Sequence, residues 1–153
     1  EIMKKIIAVI ALMSLCSGVV LAGDDGLISK KSKYSVSETL DRLEAALKKK
    51  GIGVALRWNH SEKAKNVDIP LRPTELLMFG NPKLGSHFFT SKQTAGIDLP
   101  LKALAWEDEK GQVWLTYNDP SYVAKRHGIT DRDEVKKKMS GALDKLSSAA
   151  TGQ

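Results

Sequence analysis

The chain has 153 residues, a formal net charge of +6, 42% hydrophobic residues, 27% charged residues and one cysteine. That size fits one ordinary globular domain. The charge fraction excludes a polytopic membrane protein, the lone cysteine excludes an internal disulfide scaffold, and the Leu, Val, Ile and Trp content between residues 40 and 125 excludes wholesale disorder.

Lys4 and Lys5 precede a near-continuous apolar run from Ile6 to Leu15, and Val20-Leu21-Ala22 places small residues before a cut. This is the layout of a cleavable signal peptide spanning residues 1–22, with cleavage expected after Ala22 and a periplasmic or secreted product. The apolar run falls short of the ~20 residues needed to cross a bilayer, so no stable membrane insertion is expected after cleavage. Leu15 precedes Cys16 where a lipid-attachment motif wants a small residue. Cys16 therefore leaves with the signal. The product then has no thiolate for zinc, iron–sulfur or covalent haem chemistry. No cofactor and no metal site are expected. The surplus cations are spread along the chain and read as a solvated surface; an exported protein is not expected to meet nucleic acid.

Residues 23–33 read as a polar leader that turns into a strand near its end. Ser35 and Glu38 have capping-box spacing, and Val36, Leu40, Leu43 and Leu47 make one helical apolar stripe closed by Gly51. Glu38/Arg42 and Glu44/Lys48 are spaced as i,i+4 pairs. Ile52, Val54, Leu56 and Trp58 alternate as one apolar strand face, with His60 continuing the phase. A polar connection follows, with a short helical turn at 61–66. Thr74 to Phe79 is a central strand, and 83–94 a loose helix. Leu101–Glu107 and Gln112–Asn118 form a hairpin around Asp108-Glu109-Lys110-Gly111. With that four-residue loop Glu107 faces Gln112 and Trp106 faces Val113. Trp106 then falls on one face, and Glu107 and Trp114 on the other. A one-residue slip exchanges these pairings. Asp119-Pro120 starts a helix ending at His127-Gly128, and Asp131 or Asp133 starts a last helix to about Ser148, with 149–153 frayed.

The order of elements predicts an α+β fold: a mainly antiparallel sheet, helices on one face, and a second face that is either a dimer interface or a pocket floor. Residues 34–129 make the single domain, and 130–153 a helical extension.

Three blocks carry a resemblance. Leu71-Arg72-Pro73-Thr74-Glu75 through Gly80-Asn81-Pro82-Lys83-Leu84-Gly85 is the first. Asp98-Leu99-Pro100-Leu101-Lys102 with Trp106-Glu107-Asp108 is the second. Val113-Trp114-Leu115, Tyr117-Asn118-Asp119-Pro120 and Arg126-His127-Gly128 make up the third. Together they resemble the domain of unknown function 302 family over residues 34–129. The resemblance implies a TATA-binding-protein-like fold of β-α-β(4)-α order, and a homodimer. It brings no activity and no catalytic residues, and fold alone does not bring DNA binding.

Candidate site residues follow from position and chemistry. His60 at a strand end can serve as base or ligand, or simply bond local backbone. Glu107 can act with it in proton transfer or merely border the turn. Arg72 offers a fork for a carboxylate or phosphate, or a structural salt bridge to Asp98 or Asp119. Trp106 and Trp114 would flank a small ligand over the hairpin face. Met78, His60 and His87 are a weaker copper or haem set, for which core packing of Met78 is the simpler reading. The leading expectation is an exported, homodimeric small-ligand-binding or accessory module. The alternatives are a small acid–base enzyme using His60 and Glu107, and a structural envelope protein.

Overall fold

The computed structural model describes residues 20–23 and 25–153. The expected signal segment therefore lies almost wholly outside the described residues. Its last three, Val20–Ala22, form strand β1, antiparallel to strand β2 (Leu27–Lys31). Helix α1 (Val36–Lys49) follows, then strand β3 (Gly53–Asn59), helix α2 (His60–Lys65), strand β4 (Thr74–Gly80) and helix α3 (Pro82–Ser91). A 3-10 segment (Gln93–Ile97) leads to the hairpin strands β5 (Leu101–Glu107) and β6 (Val113–Asn118), and helices α4 (Pro120–His127) and α5 (Asp133–Thr151) close the chain. The sheet is antiparallel throughout, in the order β1-β2-β6-β5-β4-β3. The expected α+β architecture is present.

The first helix forms for the reasons its sequence displays. The Ser35 side chain accepts from the Glu38 amide, and Val36, Leu40, Leu43 and Leu47 are buried against the sheet. Fully burying four such side chains contributes on the order of 6–12 kcal/mol. The polar pairs differ from expectation. Arg42 stacks on Tyr34 and donates to Ala149 O, and Glu44 pairs with Arg57 from β3. Tertiary partners displaced the i,i+4 neighbours, whose isolated pairing is worth only ~0.3–0.5 kcal/mol.

Three expectations are corrected. First, the hairpin register is shifted by one residue: Glu107 pairs with Val113 and Trp106 with Trp114. The cause is Asp108, whose amide donates to Gln112 O and whose carboxylate accepts from the Lys110 and Gln112 amides, drawing Gln112 into the loop. Second, the alternation in β3 breaks at a bulge between Val54 and Leu56. Val54 lies opposite core Phe79 on the helix side, while Leu56 and Trp58 turn to the other face. An extra residue in a strand reverses the pleat, which pattern alone does not reveal. Third, neither the polar leader nor the C-terminal helix end is peripheral. The polar leader contains β2, which pairs with β6 along its full length. The expected frayed end is docked, with Ala150 and Thr151 fully buried and Gln153 Nε2 donating to Lys31 O at 2.7 Å.

Lys30 explains this docking. It is only 1% exposed, yet its ammonium donates to Asp144 O at 2.9 Å, Asp144 Oδ1 at 2.7 Å and Ser148 Oγ at 2.9 Å. Each proton of a buried ammonium has an acceptor, as burial of a charge requires. The stem fills space between β2 and α5. Asp144 is exposed and rehydrates readily when unpaired. Lys30→Ala is therefore expected to destabilise the protein by about 3 kcal/mol, because a stem-sized void opens. Lys30→Met should recover most of that loss. Urea unfolding of the three proteins checks this; equal losses for both variants would show that the ammonium rather than the stem dominates.

Candidate functional site

Among the described residues the sheet has one covered and one open face. On the covered side Leu77, Phe79, Ala103, Ala105, Leu115 and Tyr117 are buried under α1 and α5. The intervening residues point the other way, since side chains alternate along a strand. Leu56, Trp58, Leu76, Met78, Leu104, Trp106 and Trp114 thus share the open face, none of them buried. Trp106 and Trp114 stack with ring centroids 6.4 Å apart. Trp106 Nε1 donates to Thr116 Oγ1, which also bonds Ser29 Oγ. Lys63 and Lys31 lie over Trp58 and Trp114 respectively. The result is an aromatic–aliphatic surface on which the indole N–H groups of Trp106 and Trp114 are both paired.

Glu107, one residue along from Trp106, lies in the opposite phase. It lines a broad groove of about 1050 Å³ with Arg72, Glu75, Asn59, Ser61 and the start of α1. Here Arg57 is held by Asp41, Glu44 and Glu75 and by both Ser37 oxygens. Burial works against its charge, but the bonds and charges of Asp41 and Glu75 outweigh this and raise its pKa. Glu75 is thereby occupied. Arg72 Nε donates to the Glu107 backbone carbonyl, and the Glu107 carboxylate makes no hydrogen bond among the described residues. Among the described residues, a guanidinium with its terminal nitrogens unengaged and a carboxylate with no protein partner therefore border one open groove. Together they can take a small polar ligand bearing both signs of charge.

The five expected site residues thus divide into groups. Arg72 and Glu107 meet. Trp106 and Trp114 meet, on the other face. His60 opens α2 beside its cap Asn59 and is not in the groove wall, so it is not paired there with Glu107. Met78 lies on the open face and His87 on α3. Among the described residues no three His, Cys, Asp or Glu side chains converge to hold a metal.

Sequence reasoning missed a different contact. Asp98 pairs with Arg126 and with His127 Nε2, while His127 Nδ1 meets Thr94 Oγ1 at 3.0 Å. Arg72 is not its partner, and Asp119 caps α4 by accepting from the Ser121 amide. The available signal was that Asp98 and Arg126-His127 each stood in a resemblance block. Lys102 Nζ donates to the Asp98 and Pro100 carbonyls, and burial lowers its pKa, partly offset by the Asp98 charge.

The family described as "Domain of unknown function DUF302" matches residues 28–146. The chain belongs to the DUF302 family. The match is wider than residues 34–129: it begins in β2 and takes in most of α5, so both are part of the family domain. A crystal structure of an uncharacterized conserved DUF302 protein from Bacillus stearothermophilus superposes with a TM-score of 0.74 at 19% identity, covering 82% of this chain and 98% of that one. That likeness establishes the shared fold. The chain is also 44% identical over 120 residues to the "Fluoride-specific ion channel FluC 1" of Brucella suis, covering 77% of this chain and 47% of that protein. The FluC 2 protein of Brucella melitensis matches at the same identity over 44% of its length. The chain thus spans under half the length of these curated relatives. No helix among its described residues is long and apolar enough to cross a membrane.

The hairpin turn yields a pH test. Asp108 Oδ2 accepts from Trp114 Nε1 at 2.9 Å, and this bond, with the two turn amides, holds its carboxyl below the ordinary 3.8. A depressed folded value means the stabilisation is complete above the ordinary carboxylate range and is lost as pH falls through the lower folded value. The stability gap between wild type and Asp108→Ala should therefore be full at neutral pH and shrink below 3.8. Urea unfolding at neutral and acid pH measures it; a constant gap would refute the assignment.

Proposed function

We propose that this DUF302 chain is a homodimeric accessory or binding module, paired through its open sheet face and presenting the Arg72–Glu107 groove to a small polar ligand. The observation that carries the reading is the uncovered face itself, on which Leu56 and Trp58 are 42% and 41% exposed. The five strands β2 to β6, ~4.8 Å apart and up to seven residues long at ~3.4 Å each, give an area on the order of 500 Å² before side chains roughen it. A standard interface takes ~800 Å² from each partner, so a second copy matches the extent of this face.

The accessory role draws on the Brucella relatives. They are named as ion channels, and the shared segment is under half of each. We read it as a module that accompanies such a protein, since a pore must span the bilayer and the described helices do not. Export through residues 1–22 belongs to the same proposal. Cleavage after Ala22 would remove β1 and leave β2 as the sheet edge, where Lys31 is exposed. An exposed lysine is a common guard on such an edge.

Sedimentation velocity tests the dimer. Wild type is expected to run as a dimer, Leu104→Glu as a folded monomer with unchanged circular dichroism, and Lys125→Glu on the exposed side of α4 as a dimer. A monomeric wild type, or a Leu104→Glu dimer, would overturn the pairing.

A further inference from the structure

A second concavity lies on the helix-covered side, away from both the open face and the Arg72–Glu107 groove. A cavity of about 550 Å³ opens between the β3–β4 end of the sheet, α3 and α5. Its wall is mainly apolar, with Val54, Phe79, Leu84, Phe89, Met139 and Leu143 contributing. Gly51, Gly53, Gly80 and Gly85 all line it, and a Cβ built on Gly51 or Gly85 would meet nothing within 4 Å. The volume falls within the range of small-molecule sites, about 300–1,000 Å³.

This cavity continues into a groove between α1 and α5, with Ile52, Ala142 and Leu146 lining both. The groove is strongly cationic. Arg42, Lys49, Lys50, Lys137, Lys138 and Lys145 line it against the single carboxylate of Glu134. None of the six is in an ion pair among the described residues. Arg42 Nε is buried there without any hydrogen-bond partner among the described residues. Uncompensated like charge around an apolar floor is unfavourable on its own, and a bound anion relieves it.

An apolar cavity adjoining a cationic groove fits one chemistry. We propose that the two form a site for a single-chain anionic amphiphile, a fatty carboxylate, with its tail in the glycine-walled cavity and its headgroup among the groove lysines. Burial of the chain supplies affinity, and the cations select the headgroup. The site is independent of dimerisation, because it lies on the opposite side of the sheet.

The test uses the full chain as purified, with dansyl-labelled undecanoic acid as the fluorescent probe and displacement by laurate, lauryl alcohol or dodecyltrimethylammonium. Probe uptake is expected, with laurate displacing it about fivefold better than the neutral alcohol and the cation not at all. Gly85→Leu places side-chain atoms in open space on a helix, so the fold should persist while affinity falls at least about tenfold. Lys138→Glu with Lys145→Glu should weaken laurate about fivefold and leave lauryl alcohol unchanged. No uptake by wild type, equal displacement by acid and alcohol, or binding insensitive to Gly85→Leu would each overturn the proposal. Adsorption to vesicles of anionic phospholipid unaffected by Gly85→Leu, with no monomer uptake, would assign the groove to a membrane surface instead.

Discussion

The pairing of Trp106 with Trp114 constrains the rest of the sheet. Side chains alternate strictly along a strand, so this one pairing decides the face of every residue in β5 and β6. Through β4 and β2 it carries on to Leu77, Phe79, Lys30 and Ile28. The turn at Asp108 holds the pairing in place by binding its own loop amides and the Trp114 indole together. With that register, small Ala103 and Ala105 lie on the covered side, where α1 packs closely, and both tryptophans are left on the open side. The other register would push a tryptophan toward α1 and turn alanines outward.

The remaining long-range contacts close the covered side around this sheet. Lys30 bridges β2 to α5, and Gln153 ties the end of the chain back to Lys31. Asp98, at the end of the 3-10 segment, gathers Arg126 and His127 from α4. These polar contacts join segments 28 to 122 residues apart in sequence. They add to packing that each element already has, β2 along β6 and α5 across α1, within the family match that spans both.

This architecture separates three surfaces that a linear reading tends to merge. The open face carries the aromatic residues, the groove beside α1 and α2 carries Arg72 and Glu107, and the glycine-walled cavity under α5 adjoins the lysines. The proposed pairing through the open face would leave the groove and the cavity uncovered, because both lie away from that face.

Much of the fold was legible locally. The stripe of α1, its Ser35 cap, the central strand β4, the Asp119-Pro120 start of α4 and the α+β order all follow from periodicity and capping chemistry acting within a few residues. The family, too, was readable from contiguous motif blocks. What only the tertiary structure decided was phase and partner. The bulge after Val54 and the extra loop residue at Gln112 each move a strand by one position. His60 and Glu107, weighed as an acid–base alternative, do not line one groove, whereas His127 and Asp98 meet across 29 residues. Local sequence specifies which residues are helical, extended or apolar. Which of them face one another depends on register, which is settled only when distant strands and helices compete for the same buried surface.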